Sequence, residues 1–236
     1  MVMLADAHDT IFTTTGDNII ARFRYIQSKR PSMKILVTAE RSCFPISEEE
    51  CGQFPLPDLC SPYRNLNSGG WMGEAQDVLA VLDSINAAYP QGLETAIMND
   101  QAAMQYAYMN STSREILGLA LDYTNQIFMA LHLSDEEVKI IHEEEVPWRH
   151  CNMVTGGCPA LLHYNGGSKA LQPGHDARLR TTKISMENTI HRNKVVNYLD
   201  NYQIGGVNMK VRDFCCNPSW TNPATFNKVR ANWLGC

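Results

Sequence analysis

One continuous apolar run constrains the fold more than any other segment of the chain. Residues 33–39 read Met-Lys-Ile-Leu-Val-Thr-Ala and lie between Pro31 and Glu40. A short run of this kind is typical of a strand that is buried on both faces. Apolar residues at helical spacing from 17 to 25 precede it, and residues 1–5 form another apolar strand pattern. The sequence therefore predicts a strand-helix-strand unit, which is the building block of an α/β sheet.

Further alternation of strand and helix patterns extends this unit. Alternating elements predict a sheet that is covered by helices on both faces, and hence an α/β fold. The predicted elements are a loop at 43–65, a glycine-rich turn at 66–73, helices at 74–88 and 99–109, and strands at 116–121 and 127–131.

The pattern weakens beyond Gln172, where no motif is recognisable. Chains of this length are sufficient for one sizeable core, or for one core with an appendage. We therefore expect one domain at 1–170 and a carboxy-terminal extension of unknown role at 171–236.

Charge and hydropathy exclude two classes of partner. The 236 residues carry a formal net charge of −5, and their Lys and Arg residues are scattered, so no basic surface is expected for nucleic acid. No run approaches the roughly 18–20 apolar residues that span a bilayer. The amino terminus also lacks a basic segment followed by an apolar signal core, so neither an anchor nor a signal peptide is expected in this chain.

The cysteine content favours an oxidising compartment. Eight cysteines are many for a cytosolic protein of this size, and none belongs to a Cys-x-x-Cys pair that would suggest zinc. Cys43 with Cys51 or Cys60, and Cys151 with Cys158, could form disulfides that close loops. The triplet Asn110-Ser-Thr112 is an acceptor pattern for N-glycosylation and agrees with a secretory compartment.

Two carboxylates follow the first strand. Asp6 and Asp9 are three positions apart, so in a continuous strand they would point to opposite faces. They can share a divalent cation only if the strand ends at Asp6 and the backbone turns there. The alternative is a solvated turn in which an Asp side chain caps the backbone.

Three more polar clusters accompany these carboxylates in a characteristic order. They are Asn67-Ser-Gly-Gly70, Asn99-Asp-Gln101 and His163-Tyr-Asn-Gly-Gly-Ser-Lys169. Together with Asp6-Ala-His-Asp9 and Val37-Thr-Ala-Glu-Arg-Ser-Cys-Phe-Pro45, this series resembles the glycosyltransferase domain of the procollagen lysyl hydroxylases. The resemblance implies a GT-A-like, Rossmann-type mixed sheet. It also implies that the first strand-helix region of the family, which comes before the Asp-x-x-Asp strand, is missing here.

The same resemblance implies an activity and its site. The family would transfer glucose or galactose from UDP-glucose or UDP-galactose to a hydroxyl acceptor, such as hydroxylysine or galactosyl-hydroxylysine of a collagen-like protein. It would do so with Mn²⁺ in the lumen of the endoplasmic reticulum or Golgi. The implied metal ligands are Asp6, Asp9 and His163. The implied donor-binding residues are His8, Asn67, Ser68, Gly69, Gly70, Asn165, Gly166 and Lys169. The implied catalytic residues are Asp100 and Asn99, and the implied acceptor-binding residues are Phe44 and Gln101.

Several positions depart from the family pattern. Asn99 stands where the family has a carboxylate, and an amide cannot ionise or act as a base. His8 replaces a Tyr between the metal aspartates, and Phe44 replaces a Trp beside the acceptor. Two other functions therefore stay open. One is a non-catalytic remnant of the fold that acts as a binding or scaffold domain, and the other is a metal-dependent hydrolase of phosphate esters.

Overall fold

The computed structural model describes residues 1–57, 61–88, 100–143, 146–171, 202–204 and 207–209. The chain divides into two compact units, Met1–Leu56 with Pro62–Ile190 and Pro57–Ser61 with His191–Cys236. The second unit contains a short antiparallel hairpin of Tyr202–Ile204 and Val207–Met209. All other elements below belong to the first unit. The predicted domain boundary at residue 170 stays a prediction.

The first unit contains a four-stranded mixed sheet. Its strands lie in the order β1 (Val2–Ala5), β4 (Asn65–Gly73), β3 (Ile35–Glu40) and β5 (Leu119–Leu121). β3 is antiparallel to β4 and parallel to β5, and all of its residues are buried. The apolar run is thus a buried strand, as predicted, and it has one antiparallel and one parallel neighbour.

Helices cover both faces of this sheet. The structure describes five α-helices, at Gly16–Lys29 (α1), Glu48–Cys51 (α2), Ala75–Ala88 (α3), Asp100–Met109 (α4) and Ser111–Leu117 (α5). Successive side chains of a strand point to opposite faces, so β3 packs against both layers. Leu36 packs in a cluster with Phe23 of α1, whereas Val37 belongs to a cluster with Val81 of α3 and Met104 of α4. This arrangement confirms the predicted mixed α/β fold class.

The prediction of a glycine-rich turn at 66–73 is wrong. These residues form most of β4, a strand of nine residues. The glycines make room for close neighbours: a Cβ atom at Gly70 would lie 2.8 Å from both the Phe128 ring and the Thr38 hydroxyl. Glycine inside a strand often marks a bulge or a site of close approach. Gly69 and Gly70 lie where the register between β4 and β3 shifts, and both have close neighbours.

The strand predicted at 116–121 is only partly correct. Residues Ser111–Leu117 form α5, which begins after Asn110 and ends at Gly118. Gly118 has a φ of 59°, a left-handed conformation that glycine adopts without strain at the end of a helix. The extended segment therefore starts only at Leu119.

A second sheet has three strands and contains His163. Its strands lie in the order β2 (Thr10–Phe12), β9 (Leu161–His163) and β6 (Phe128–Ala130), and β6 confirms the strand predicted at 127–131. β9 is antiparallel to β2 and parallel to β6. The remaining elements of this unit are the antiparallel strands β7 (Val138–Glu143) and β8 (Val146–Asn152), and short 3-10 helices at Asp135–Glu137 and Gly166–Leu171.

Two disulfides close loops in this unit. They join Cys43 to Cys51 and Cys151 to Cys158, which are among the pairs that the sequence predicts. Cys60, the alternative partner of Cys43, lies outside the described residues. None of the described helices is both long and apolar enough to cross a bilayer.

Candidate metal and donor site

The candidate site lies where the two sheets meet at the end of β1. The backbone N–H of Asp6 donates to the carbonyl of Gly69 at 3.2 Å, and the strand ends there. The Thr10 hydroxyl then donates to the carbonyl of Asp6 at 2.6 Å and closes a turn. This turn is the geometry that a shared cation requires of Asp6 and Asp9.

β9 brings His163 to the same turn. Thr10 pairs with His163 across the antiparallel ladder of β2 and β9. The His163 Nε2 atom lies 3.2 Å from Asp6 Oδ2 and 3.5 Å from Asp9 Oδ1. One ligand atom from each of the three residues lies within 4.8 Å of the other two. The structure therefore brings together Asp6, Asp9 and His163, which are 157 positions apart at the extremes (163 − 6).

The imidazole of His163 is held in one tautomer. Its Nδ1 atom lies 3.1 Å from Asn67 Oδ1, an oxygen that also accepts from the backbone N–H of Gly69 at 2.9 Å. An amide oxygen can only accept, so Nδ1 carries a proton, and in the neutral imidazole Nε2 presents a lone pair to the carboxylates. Burial lowers the pKa of His163, although Asp9 and Asp6 oppose this shift. The neutral imidazole is the form that binds metals.

Glu40 accepts hydrogen bonds from several side chains of the site, a role that was not predicted from the sequence. Its carboxylate is almost fully buried at the end of β3, with 1% of the residue exposed. Oε1 accepts from the side-chain amides of Asn67 and Gln101, both at 3.1 Å. Oε2 accepts from the Asn165 amide at 2.9 Å and from the Ser42 hydroxyl at 2.7 Å. Burial raises the pKa of Glu40, and these four hydrogen bonds oppose the shift.

A signal for Glu40 was present in the sequence. An acidic residue at the end of a fully apolar strand is placed in or next to the core, where a carboxylate must be paired or hydrogen-bonded. The chain Glu40–Asn67–His163 therefore links a buried carboxylate to the candidate metal ligand. Such contacts fix the orientation of a ligating histidine.

The position of the His163 ring requires a glycine at residue 69. A Cβ atom on Gly69 would overlap the His163 ring and would lie 2.8 Å from Asp6 Oδ2. The resemblance assigns Gly69 and Gly70 to donor binding. In the structure their immediate neighbours are His163 and Asp6 at Gly69, and Phe128 and Thr38 at Gly70.

The predicted diphosphate-binding segment follows β9 directly. Asn165 is fixed at both ends of its amide, since its Oδ1 atom accepts from the backbone N–H of His132 at 2.9 Å. Gly166 has a φ of 54° and packs against the His132 ring. The Lys169 side chain is 63% exposed, and its Nζ atom lies 3.1 Å from Asp9 Oδ2. One positive charge thus stands at the open edge of the carboxylate pair.

The predicted acceptor residues lie at the start of α4 and on the disulfide loop. The Phe44 side chain is exposed, and its carbonyl accepts from the side-chain amides of Gln101 and Gln105. Gln101 also accepts from the backbone N–H of Ser68 at 3.3 Å. Gln105 is fully buried, and the sequence analysis did not single it out. The same two side chains thus join α4 to the Phe44 loop.

The other predicted site residues are placed less tightly. Asp100 begins α4 with its side chain exposed, and His8 is exposed within the turn between the two aspartates. Asn99 lies outside the described residues. Among the described residues, no hydrogen bond or ion pair joins Asp100 to Asp6, Asp9 or His163, so its catalytic role stays a prediction.

The donor set fits a divalent cation. Two carboxylates and a neutral imidazole are ligands that Mn²⁺ accepts, and a purely oxygen-based site would suit Mg²⁺ better. Without a bound cation, the carboxylates of Asp6 and Asp9 would place two negative charges close together, next to His163 Nε2. The residues present are therefore suited to a bound metal.

Comparison with known proteins identifies the family of this chain. Residues 1–173 match the model of the PLOD GT domain family. The chain is 31% identical over 173 residues to procollagen-lysine,2-oxoglutarate 5-dioxygenase of Drosophila melanogaster, covering 72% of this chain and 22% of that protein. It is 26% identical over 172 residues to the multifunctional procollagen lysine hydroxylase and glycosyltransferase of Caenorhabditis elegans, covering 72% of this chain and 22% of that protein.

The similarity to these relatives is confined to one part of each. The chain spans 22% of the length of either protein, a little more than a fifth. The matched residues contain both ends of the candidate site, from Asp6 to Lys169. The chain belongs to the PLOD GT domain family of glycosyltransferases.

Proposed function

We propose that this chain is a Mn²⁺-dependent glycosyltransferase that moves glucose or galactose from a UDP-sugar to a hydroxyl acceptor. The observation that carries the proposal is the convergence of Asp6, Asp9 and the Nε2 atom of His163. A bound divalent cation would act there as a Lewis acid that neutralises the leaving diphosphate. Family membership supports transfer of a sugar over hydrolysis of a phosphate ester.

The donor side would be formed by the segments around the metal ligands. Lys169 supplies a positive charge within reach of a diphosphate at the open edge of Asp9. The exposed Gly166 and Gly167 offer backbone close to the same edge. His8 would contact the nucleotide base, and the buried Asn67 would act on the donor mainly by holding His163.

The acceptor side would be formed by Phe44, Gln101 and Asp100. Transfer forms a bond between the acceptor oxygen and the sugar C1 atom, breaks the bond from C1 to the diphosphate, and releases UDP. The proton of the acceptor hydroxyl needs a base, and Asp100 is the exposed carboxylate at the predicted position. Phe44 offers an apolar surface for the acceptor. The acceptor we propose is hydroxylysine or galactosyl-hydroxylysine of a collagen-like protein, in a secretory compartment that also suits the two disulfides.

Calorimetric titration of UDP with and without Mn²⁺ tests the proposal. Wild-type protein should bind UDP only with the metal. Asp9→Ala and His163→Ala should each abolish that binding, while the control Asp83→Ala on an exposed position of α3 should not change it. Turnover of a UDP-sugar with hydroxylysine and galactosyl-hydroxylysine peptides then tests transfer.

Two results would favour the alternatives. Absence of UDP binding by the folded protein would point to a non-catalytic binding or scaffold domain. Release of phosphate from small phosphoesters without any sugar acceptor would point to a hydrolase. We also propose that residues 1–170 form the glycosyltransferase-like domain and that residues 171–236 form a carboxy-terminal extension of unknown role.

A further inference from the structure

The corner between α4 and α5 contains a triplet with the acceptor pattern for N-linked glycosylation. Asn110-Ser111-Thr112 has the pattern Asn-x-Thr, and all three residues are exposed. It is the only such acceptor in the sequence, since Asn217-Pro-Ser219 has the excluded proline at its middle position. Any N-linked glycan on this chain must therefore be attached at this corner.

The hydrogen bonds of Asn110 leave the reactive nitrogen available. The side-chain Oδ1 atom accepts from the backbone N–H of Ser113 at 2.9 Å and caps α5. The Asn110 carbonyl accepts from the N–H of Arg114 at 2.9 Å. Among the residues that the structure describes, no partner is seen for Nδ2, so a sugar on this atom breaks no contact. A substituent on Nδ2 also leaves the capping oxygen in place.

The position of Asn110 keeps a glycan away from the candidate site. α4 begins at Asp100, next to Gln101, which contacts Glu40 and Ser68. The helix rises about 1.5 Å per residue, so Asn110 lies roughly 14 Å from Gln101 along its axis. The bulk of an oligosaccharide would therefore leave the end of the sheet open to donor and acceptor.

We propose that Asn110 carries an N-linked oligosaccharide. The glycan donor would be an oligosaccharide on a lipid diphosphate. A bond forms between Nδ2 and the first sugar C1 atom, the bond from C1 to the diphosphate breaks, the lipid diphosphate leaves, and one amide proton passes to a base of the transferring enzyme. This modification rests on the secretory location that we propose above, but not on the transferase activity.

The test is expression of the full chain behind a cleavable signal peptide in eukaryotic cells, with a reporter acceptor triplet in a carboxy-terminal tag. The reporter glycan shows that the chain has entered the lumen. Wild type should carry two glycans that peptide N-glycosidase removes. Thr112→Ala and Asn110→Asp should carry only the reporter glycan, and the matched control Thr112→Ser should keep both.

Asn110→Asp retains an oxygen that caps α5, so its loss of the glycan would not reflect loss of the helix. Mass spectrometry should also show conversion of Asn110 to an acidic residue after enzymatic release. Wild type that carries the reporter glycan alone would overturn the proposal. UDP titration of Thr112→Ala with Mn²⁺ tests the transferase separately, so failure of one proposal cannot be mistaken for failure of the other.

Discussion

Glu40 and Asp122 are both buried carboxylates, yet they are satisfied in different ways. Asp122 is 3% exposed and accepts from the backbone N–H groups of Gln126, Ile127 and Phe128 at 3.0, 2.7 and 2.9 Å. All its donors lie within six positions along the chain. Glu40 accepts from four side chains, three of which are 27 to 125 positions away. Burial raises the pKa of both groups.

The difference separates a structural carboxylate from one that serves a site. The donors of Asp122 are the backbone of one loop, so its role is to close that loop ahead of β6. Three of the donors of Glu40 have second contacts. Asn67 contacts His163, Asn165 accepts from the backbone N–H of His132, and Gln101 accepts from Ser68 and donates to Phe44. We infer that Asp122 governs stability and that Glu40 governs the geometry of metal and donor binding.

The largest expected effect is the loss of stability in Asp122→Ala. Three buried N–H groups would lose their acceptor, and each unsatisfied group costs about 1–3 kcal/mol. The free energy of unfolding should fall by at least about 3 kcal/mol in urea titration. The exposed Asp83→Ala should change it by less than about 0.5 kcal/mol. A fall equal to that of the control would mean that the loop does not depend on Asp122.

Glu40→Gln should weaken metal and donor binding more than it lowers stability. The amide keeps the volume but can accept through only one of its two polar atoms, so two of the four donors lose their partner. Loss of such outer contacts lowers metal affinity about 10–100-fold. We expect that loss in Mn²⁺-dependent UDP titration, with an unfolding free energy that changes less than in Asp122→Ala. If Glu40→Gln unfolded the protein but left UDP binding by the folded fraction intact, Glu40 would be a structural carboxylate like Asp122.

The pH dependence of stability sharpens the same contrast. A carboxyl whose pKa is raised in the folded state binds more protons there than in the unfolded chain, so its contribution is full below the unfolded pKa and is lost as pH rises through the folded pKa. The stability of metal-free wild type relative to Glu40→Gln should therefore decrease with rising pH, by at most about 1.4 kcal/mol per pH unit. Urea unfolding at several pH values measures this difference. A difference that grows with pH would show that the four donors outweigh burial.

The candidate metal corner, formed by Asp6, Asp9 and His163, was predictable in part, because the signal for its first two residues is local. An apolar strand that ends in Asp6, with Asp9 three positions later, requires a turn, and the structure has it. The order of motifs then pointed to His163. The mixed α/β fold was also predictable, because the apolar run at 33–39 and the helical periodicities are properties of single segments.

The remaining contacts depend on chain segments that are distant in sequence. The role of Gly69 depends on the His163 ring, which lies 94 positions later (163 − 69), and a pair of glycines alone favours a turn. Glu40 acquires its role only when Asn67, Gln101 and Asn165 converge on it. In α5, two capping residues, Asn110 and Gly118, outweighed an apolar segment that favoured a strand.

Gln105→Met tests whether the predicted acceptor loop, residues 42–46 around Phe44, is a further part of this network, and its expected effect is the smallest. The buried amide donates to the carbonyls of Phe44 at 2.8 Å and Leu66 at 2.9 Å. Met has a similar volume but no donor, and Gln101 still holds the Phe44 carbonyl. Loss of about 1 kcal/mol of local hydrogen bonding should speed amide exchange in residues 42–46 about 5-fold.

Hydrogen exchange followed by mass spectrometry can measure this change, with the exposed Gln53→Met as the matched control. Gln105 Oε1 has no hydrogen-bond partner among the described residues, so its removal should offset part of the global loss of stability. Exchange at residues 6–9 should stay unchanged, because the metal corner is held by β1 and β9. Equal acceleration in both segments would mean that Gln105 stabilises the whole unit, and that the acceptor loop is not held separately from the metal corner.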